Sequence, residues 1–153
     1  MAAQRGGVRT DFEFQVYQGA DVLGGSSLRL SDVAGVGTPV VLNFWAGDCP
    51  PCRFEMPDLQ RSHERHQGDV LFLGMDVGVY TGLGSPRSAM ALMDELDVTY
   101  PVGSPPDRRA VDGYSVRAMP TTVFLEADGG VFERWEGAIN ESQLEVILSK
   151  ILQ

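Results

Sequence analysis

Phe12, Phe14 and Val16 alternate with polar residues, the period of a half-buried strand. The turn residues Gly24-Gly25-Ser26-Ser27 follow, and Leu28 and Leu30 suggest a short returning strand. Residues 39–46 carry Val40, Val41, Leu42, Phe44 and Trp45 almost without a break, which predicts a central strand covered on both faces. A helix is expected over 51–66, starting at a pair of cysteines and kinked by Pro57. Residues 70–76 predict a second buried strand. Ser85-Pro86 opens a helix bearing Met90, Leu92, Met93 and Leu96. A short helix is expected over 105–114, ended near Gly113. Strands at 121–125 and 131–135 join across Asp128-Gly129-Gly130, a hairpin signal, and Asn140 with Gln143 caps a final helix.

The order β-α-β-α predicts a wound sheet, and the closing β-β-α makes that sheet mixed. No internal repeat, low-complexity tract or interdomain linker interrupts it. The expected organisation is a flexible start over residues 1–9 and a single domain over 10–153. The stretch 78–85 has the composition of a mobile connection between elements.

Length and charge narrow the function classes. A chain of 153 residues with 43% hydrophobic and 22% charged residues can bury a core without metals or disulfides. A net charge of -9 argues against a nucleic-acid surface, which needs clustered Lys and Arg, and against an anionic membrane. High solubility is its plain consequence. No apolar run approaches the ~18 residues of a membrane span. Residues 1–10 show no hydrophobic segment of signal-peptide type, which leaves a cytosolic protein or a trimmed exported one as the two expectations.

The candidate chemistry is Cys49-Pro50-Pro51-Cys52. Two cysteines two residues apart make a poor structural framework and a sensible redox pair. Cys49 falls where a buried strand ends and a helix begins, so free N–H groups and the helix dipole favour an anion there. The thiolate is the attacking species in disulfide exchange. Cys49 is expected to be the exposed nucleophile, and Cys52, one turn in, the buried resolving thiol. Lowering a thiol pKa from about 8.5 to about 7 raises the thiolate fraction at neutral pH roughly 16-fold. The accompanying loss of nucleophilicity takes back roughly fivefold. Stabilising the thiolate therefore acts on leaving-group quality and potential more than on speed of attack.

Val40-Val41-Leu42-Asn43-Phe44-Trp45-Ala46, then Cys-Pro-Pro-Cys, then Arg53, Glu55 and Pro57, resembles a thioredoxin-like domain, more narrowly the TlpA/ResA-type reductases of the bacterial cell envelope. The resemblance continues through Tyr114-Ser115-Val116-Arg117-Ala118-Met119-Pro120-Thr121-Thr122 and covers about residues 10 to 152. It implies a thioredoxin fold with a central mixed sheet flanked by helices, an N-terminal β-hairpin and an added helix before Pro101. It implies Cys49 as attacking and Cys52 as resolving thiol, Pro120 as a cis-proline facing the disulfide, and the Met119 backbone as a pairing site for the substrate chain. Glu55 takes the place of an acidic residue that moves a proton to and from the buried thiol. Asn43 stands where ordinary thioredoxins bury an Asp. Asp48 stands where the family usually has Trp, which removes an aromatic contact and opposes thiolate formation. Trp45 and Asp48, with Met119, are the expected substrate contacts.

No cofactor is expected. The implied partners are protein thiols and disulfides, among them apocytochrome c or other exported cysteine proteins, with an upstream electron donor. The implied setting is extracytoplasmic and the expected state monomeric. Two other classes compete. A peroxiredoxin-like peroxidase needs a Thr three residues before its cysteine, where this chain has Ala46. A binding module would use the same surface without turnover. A zinc site joining the cysteines to His63 and His66 fails on reach. Eleven helical residues place His63 about 16 Å from Cys52, whereas zinc ligands lie ~2.0–2.3 Å from one ion. The two histidines are expected to be solvated near a helix end.

Overall fold

The computed structural model describes residues 7–153. In chain order the elements are β1 (Glu13–Gln18), α1 (Ala20–Leu23), β2 (Ser27–Arg29), β3 (Val40–Trp45), α2 (Pro50–Arg65), β4 (Leu71–Asp76), α3 (Gly78–Thr81), α4 (Pro86–Glu95), β5 (Val102–Ser104), α5 (Arg109–Gly113), β6 (Thr121–Leu125), β7 (Val131–Glu136) and α6 (Glu141–Ile151). A 3-10 turn, Leu30–Asp32, follows β2. The strands form one seven-stranded sheet in the order β2-β1-β5-β4-β3-β6-β7. β3, β4 and β5 run parallel, while β6, β7 and the β1–β2 hairpin are antiparallel to their neighbours. This is the mixed sheet that the chain order implied.

β3 is buried at every position because strands flank it on both edges and helices cover both faces. Alternation along the strand divides its side chains between two cores. Val41 and Trp45 pack with Met56 and Leu59 of α2, Leu92 of α4 and Leu144 and Leu148 of α6. Val40, Leu42 and Phe44 pack on the other face with Phe12, Phe14, Val111 and Tyr114. α2 continues through Pro57 as one helix. The missing proline N–H leaves the Arg53 carbonyl without its ladder partner. α4 opens at a Ser85 cap reciprocated by Ser88, and α6 at an Asn140 cap reciprocated by Gln143.

Three local features depart from expectation. β5 is a strand that sequence pattern does not announce. It pairs with β1 on one side and β4 on the other, and a Cβ at Gly103 would stand 2.7 Å from the Gln15 carbonyl oxygen. The 78–85 connection opens with the helical turn α3. At the chain start, residues 1–6 of the expected flexible segment lie outside the described residues. Val8 packs against the second core and against Gly35 and Gly129, so the packed chain begins before residue 10.

Candidate active site

Residues 46–48 carry the chain from the end of β3 into α2, and Cys49 is that helix's N-cap. Its extended backbone (φ -111°, ψ 105°) turns the side chain over the first turn, where Sγ accepts a hydrogen bond from Cys52 N at 3.3 Å. The two cysteines are bridged, with Cα atoms 5.2 Å apart, inside the usual disulfide range. Pro50 and Pro51 occupy the first helical positions, where an absent N–H costs no ladder bond. On reduction, a thiolate at Cys49 would face the Cys52 N–H, the amide this helix start leaves free, and the positive end of the helix dipole.

Cys49 is not exposed in this oxidised form. It is 3% accessible and Cys52 0%, so the expected contrast survives only as a small difference. The α3–α4 connection lies against the two residues before Cys49. Asp48 N donates to Leu83 O at 2.8 Å, a Cβ on Gly84 would stand 2.9 Å from Gly47 N, and a Cβ on Gly47 would collide with the Ser88 backbone. Two glycines thus let backbone lie on backbone just before the nucleophile. The connection is held at its start by buried Asp76, which accepts from Gly78 N and from the Tyr17 hydroxyl, each at 2.9 Å. Burial pushes the Asp76 carboxyl above its ordinary value, against the pull of these two bonds. The Asp48 side chain itself is exposed.

Trp45 requires a correction as a substrate contact. It is 0% exposed, and its Nε1 lies against the Gly74 position inside the first core. The residue parity that sends Val41 toward α2 sends Trp45 there too.

The Met119–Pro120 peptide bond is cis. Thr121 lies opposite Phe44, so Pro120 enters β6 at the same end of the strands from which β3 leads to Cys49. Pro120 is buried, and its carbonyl accepts from Gly137 N at 2.8 Å. Met119 is half-buried and touches both cores.

Glu55 is 1% exposed and lies three residues beyond Cys52, on the same face of α2. Asn43 Nδ2 donates to Glu55 Oε2 at 2.7 Å and to Thr122 Oγ1 at 3.0 Å, and Ile139 N donates to Glu55 Oε1 at 3.2 Å. Asn43 Oδ1 is buried with no hydrogen-bond partner. Burial pushes the Glu55 carboxyl up to about 8, against the Asn43 and Ile139 bonds, which favour its charged form. A carboxyl poised near neutrality beside a resolving thiol can take that thiol's proton and return it.

Thr122 and the Ile139 amide were not singled out from sequence. A polar residue interrupting the apolar run of β3 was the available signal, and Thr122 pairs directly with it across β3–β6. The histidines also need correcting. His63 is partly buried and meets the rings of Tyr100 and Phe72 edge-on, with centroids 5.8 and 5.9 Å away. His66 bonds Glu145 at 2.8 Å. Among the described residues no cluster of His, Cys, Asp and Glu could hold a metal ion. A 570 Å³ cleft that includes His63, Val36 and Phe72 lies at the opposite end of the central strands, away from the cysteines.

A bridged cysteine pair capping a helix, at the same end of the central strands as a cis-proline, defines a thiol–disulfide oxidoreductase site on a thioredoxin fold. The sequence profile of the AhpC/TSA family matches residues 8–134. The thiol-disulfide oxidoreductase ResA of Oceanobacillus iheyensis is 32% identical over 142 residues, 91% of this chain and 69% of that protein. ResA of Bacillus subtilis is 33% identical over 129 residues, 83% of this chain and 68% of its own length. Among solved structures, the exposed lipoprotein thioredoxin Etrx1 of Streptococcus pneumoniae aligns with TM-score 0.74 at 26% identity, covering 92% of this chain and 98% of that one. A thiol:disulfide interchange protein DsbE from Chlorobium tepidum has TM-score 0.78 at 22% identity over 97% of both chains, a likeness of fold. The chain belongs to the AhpC/TSA family and, within it, to the ResA-type thiol–disulfide oxidoreductases.

Proposed function

We propose that the chain works as a disulfide reductase for exported cysteine proteins, apocytochrome c among them. The observation that carries this reading is Glu55, a buried carboxyl of raised pKa one turn beyond Cys52. In the reducing direction the Cys49 thiolate attacks one sulfur of a partner disulfide. The partner S–S bond breaks, and the departing thiolate takes a proton. Glu55 accepts the proton of Cys52, whose thiolate attacks Cys49 Sγ and frees the second partner thiol. Two electrons pass to the partner and the Cys49–Cys52 bond forms. An upstream dithiol donor restores the pair by the reverse exchange.

Met119 beside Pro120 and exposed Asp48 would line the partner's approach, with Trp45 only supporting them from the core. Ala46 is buried and carries no hydroxyl, which favours disulfide exchange over peroxide reduction. The likeness to an exposed lipoprotein supports an extracytoplasmic setting. Among the described residues, no helix is long and apolar enough to cross a membrane.

Reduction of insulin disulfides tests the assignment. Cys49→Ser is expected to abolish turnover and Cys52→Ser to accumulate mixed disulfides. Alkylation of the reduced protein is expected to label Cys49 first. Turnover that survives Cys49→Ser would overturn the reading, and preferential labelling of Cys52 would reverse the two roles.

A further inference from the structure

Asp76 is a second buried carboxyl group, 2% exposed, that the exchange reaction above leaves unused. It ends β4, beside Trp45 in the parallel pairing with β3. Its Oδ2 accepts from the Tyr17 hydroxyl and its Oδ1 from Gly78 N, each at 2.9 Å, while its carbonyl accepts from Ser104 Oγ at 3.0 Å. Tyr17 belongs to β1 and reaches Asp76 across β5. The carboxyl therefore joins an outer strand of the sheet to the first amide of α3.

From Gly78 the hydrogen bonds run on to the redox pair. Gly78 O accepts from Leu83 N at 3.2 Å, and Leu83 O accepts from Asp48 N at 2.8 Å, one residue before Cys49. Close backbone contact follows the same route. A Cβ on Gly78 would stand 3.0 Å from the Gly84 carbonyl, and one on Gly84 would stand 2.9 Å from Gly47 N. The sulfur depends on where this route ends. Cys49 Sγ meets Cys52 N because the extended Cys49 backbone turns the side chain over the first helical turn. The 47–48 peptide, held by Leu83, anchors the chain on the N-terminal side of that turn. With the anchor released, the side chain spends time away from the Cys52 N–H and the helix dipole, both of which favour a thiolate.

We propose that Asp76 is a positioning residue for the redox pair, fixing through Gly78, Leu83 and Asp48 the backbone that lays the Cys49 sulfur on the helix start. The role belongs to its two hydrogen-bonding positions and not to its charge. This rests on the reading above, in which Cys49 is the attacking thiol.

Two uncharged variants separate bonding from charge. Asp76→Asn keeps an oxygen for Gly78 N and offers its amide to the Tyr17 hydroxyl oxygen, whereas Asp76→Ala offers neither. In a Cys52→Ser background Cys49 is the one thiol of the chain, so its thiolate absorbance can be titrated directly. The titration is expected about half a pH unit higher in Asp76→Ala than in Asp76→Asn, a roughly threefold smaller thiolate fraction near neutrality. Hydrogen exchange at the Asp48 amide is expected to be about tenfold faster in Asp76→Ala than in Asp76→Asn. Tyr17→Phe keeps the carboxylate and removes one of its donors. It is expected to move both readouts the same way from the parent by less, about twofold in exchange.

Equal titrations in Asp76→Ala and Asp76→Asn overturn the proposal, whether neither moves from the parent or both move together through the lost charge. If Asp76→Ala does not fold, Tyr17→Phe decides, and exchange and titration unchanged from the parent overturn it. The titration reads Cys49 without turnover. Wild type that fails to reduce insulin while these shifts hold therefore overturns the reductase reading alone.

Discussion

Asn43 on β3 donates a 2.7 Å hydrogen bond to Glu55 on α2, joining the central strand to the helix that carries both cysteines. Both side chains are buried, and the second Asn43 donor bond reaches Thr122 on β6. One amide therefore ties the proton-handling carboxyl to the strand that follows the cis-proline. The carboxyl's behaviour with pH depends on this tie.

Glu55 makes stability fall as pH rises. Its ordinary value is 4.5, and burial moves it up to about 8 in the folded protein. Between those values the folded state holds a proton that the unfolded chain has released. Its contribution is therefore full below about pH 4.5, declines toward pH 8, and is lost above that. Denaturant titrations of wild type and Glu55→Gln at pH 5 and pH 8.5 measure this slope, which the Gln variant is expected to lack. The same variant is expected to slow insulin reduction by about 100-fold, with the resolving step limiting. A slope equal in both proteins would place the titration elsewhere.

Asn43→Ala removes a donor that favours the charged carboxylate, so the pH-rate limb assigned to Glu55 is expected to move upward. The variant is also expected to lose about 1–3 kcal/mol, because Glu55 keeps only its Ile139 partner. A pH-rate profile of the variant checks the direction. A limb that stays in place would mean that burial alone sets the Glu55 value.

Gly47→Ala tests whether the α3–α4 connection shields Cys49. The added methyl collides with the Ser88 backbone, so the start of α4 must lift. Faster alkylation of reduced Cys49 is expected, with a stability loss of about 1–3 kcal/mol. A destabilised variant with unchanged alkylation would show that the connection does not shield the sulfur.

The parts of the site carried by contiguous sequence were legible in it. Cys49 and Cys52 lie in a short run whose pattern places them at a helix start, the family resemblance supplied the cis bond at Pro120, and the caps at Ser85 and Asn140 are equally local. Features made by distant segments were not. The residues just before Cys49 are packed by a segment some thirty-five positions downstream, and Glu55 is held by Asn43 of β3, itself bonded to β6, and by the loop before α6. In a strand apolar on both faces, pattern alone did not say that Trp45 turns inward. β5 has three residues with proline on either side, and it is a strand because β1 and β4 make it one.

β5 also determines how the chain must assemble. The β1–β2 hairpin reaches the rest of the sheet only through those three residues, with Gln15 opposite Ser104. Joining them closes a loop of roughly ninety residues, whose entropy is lost before the pairing repays it. β3 and β4, joined by α2 and paired along their whole length, close a far shorter one. The hairpin is thus the late-docking and early-releasing edge of the fold, and the redox pair sits on the part that closes first.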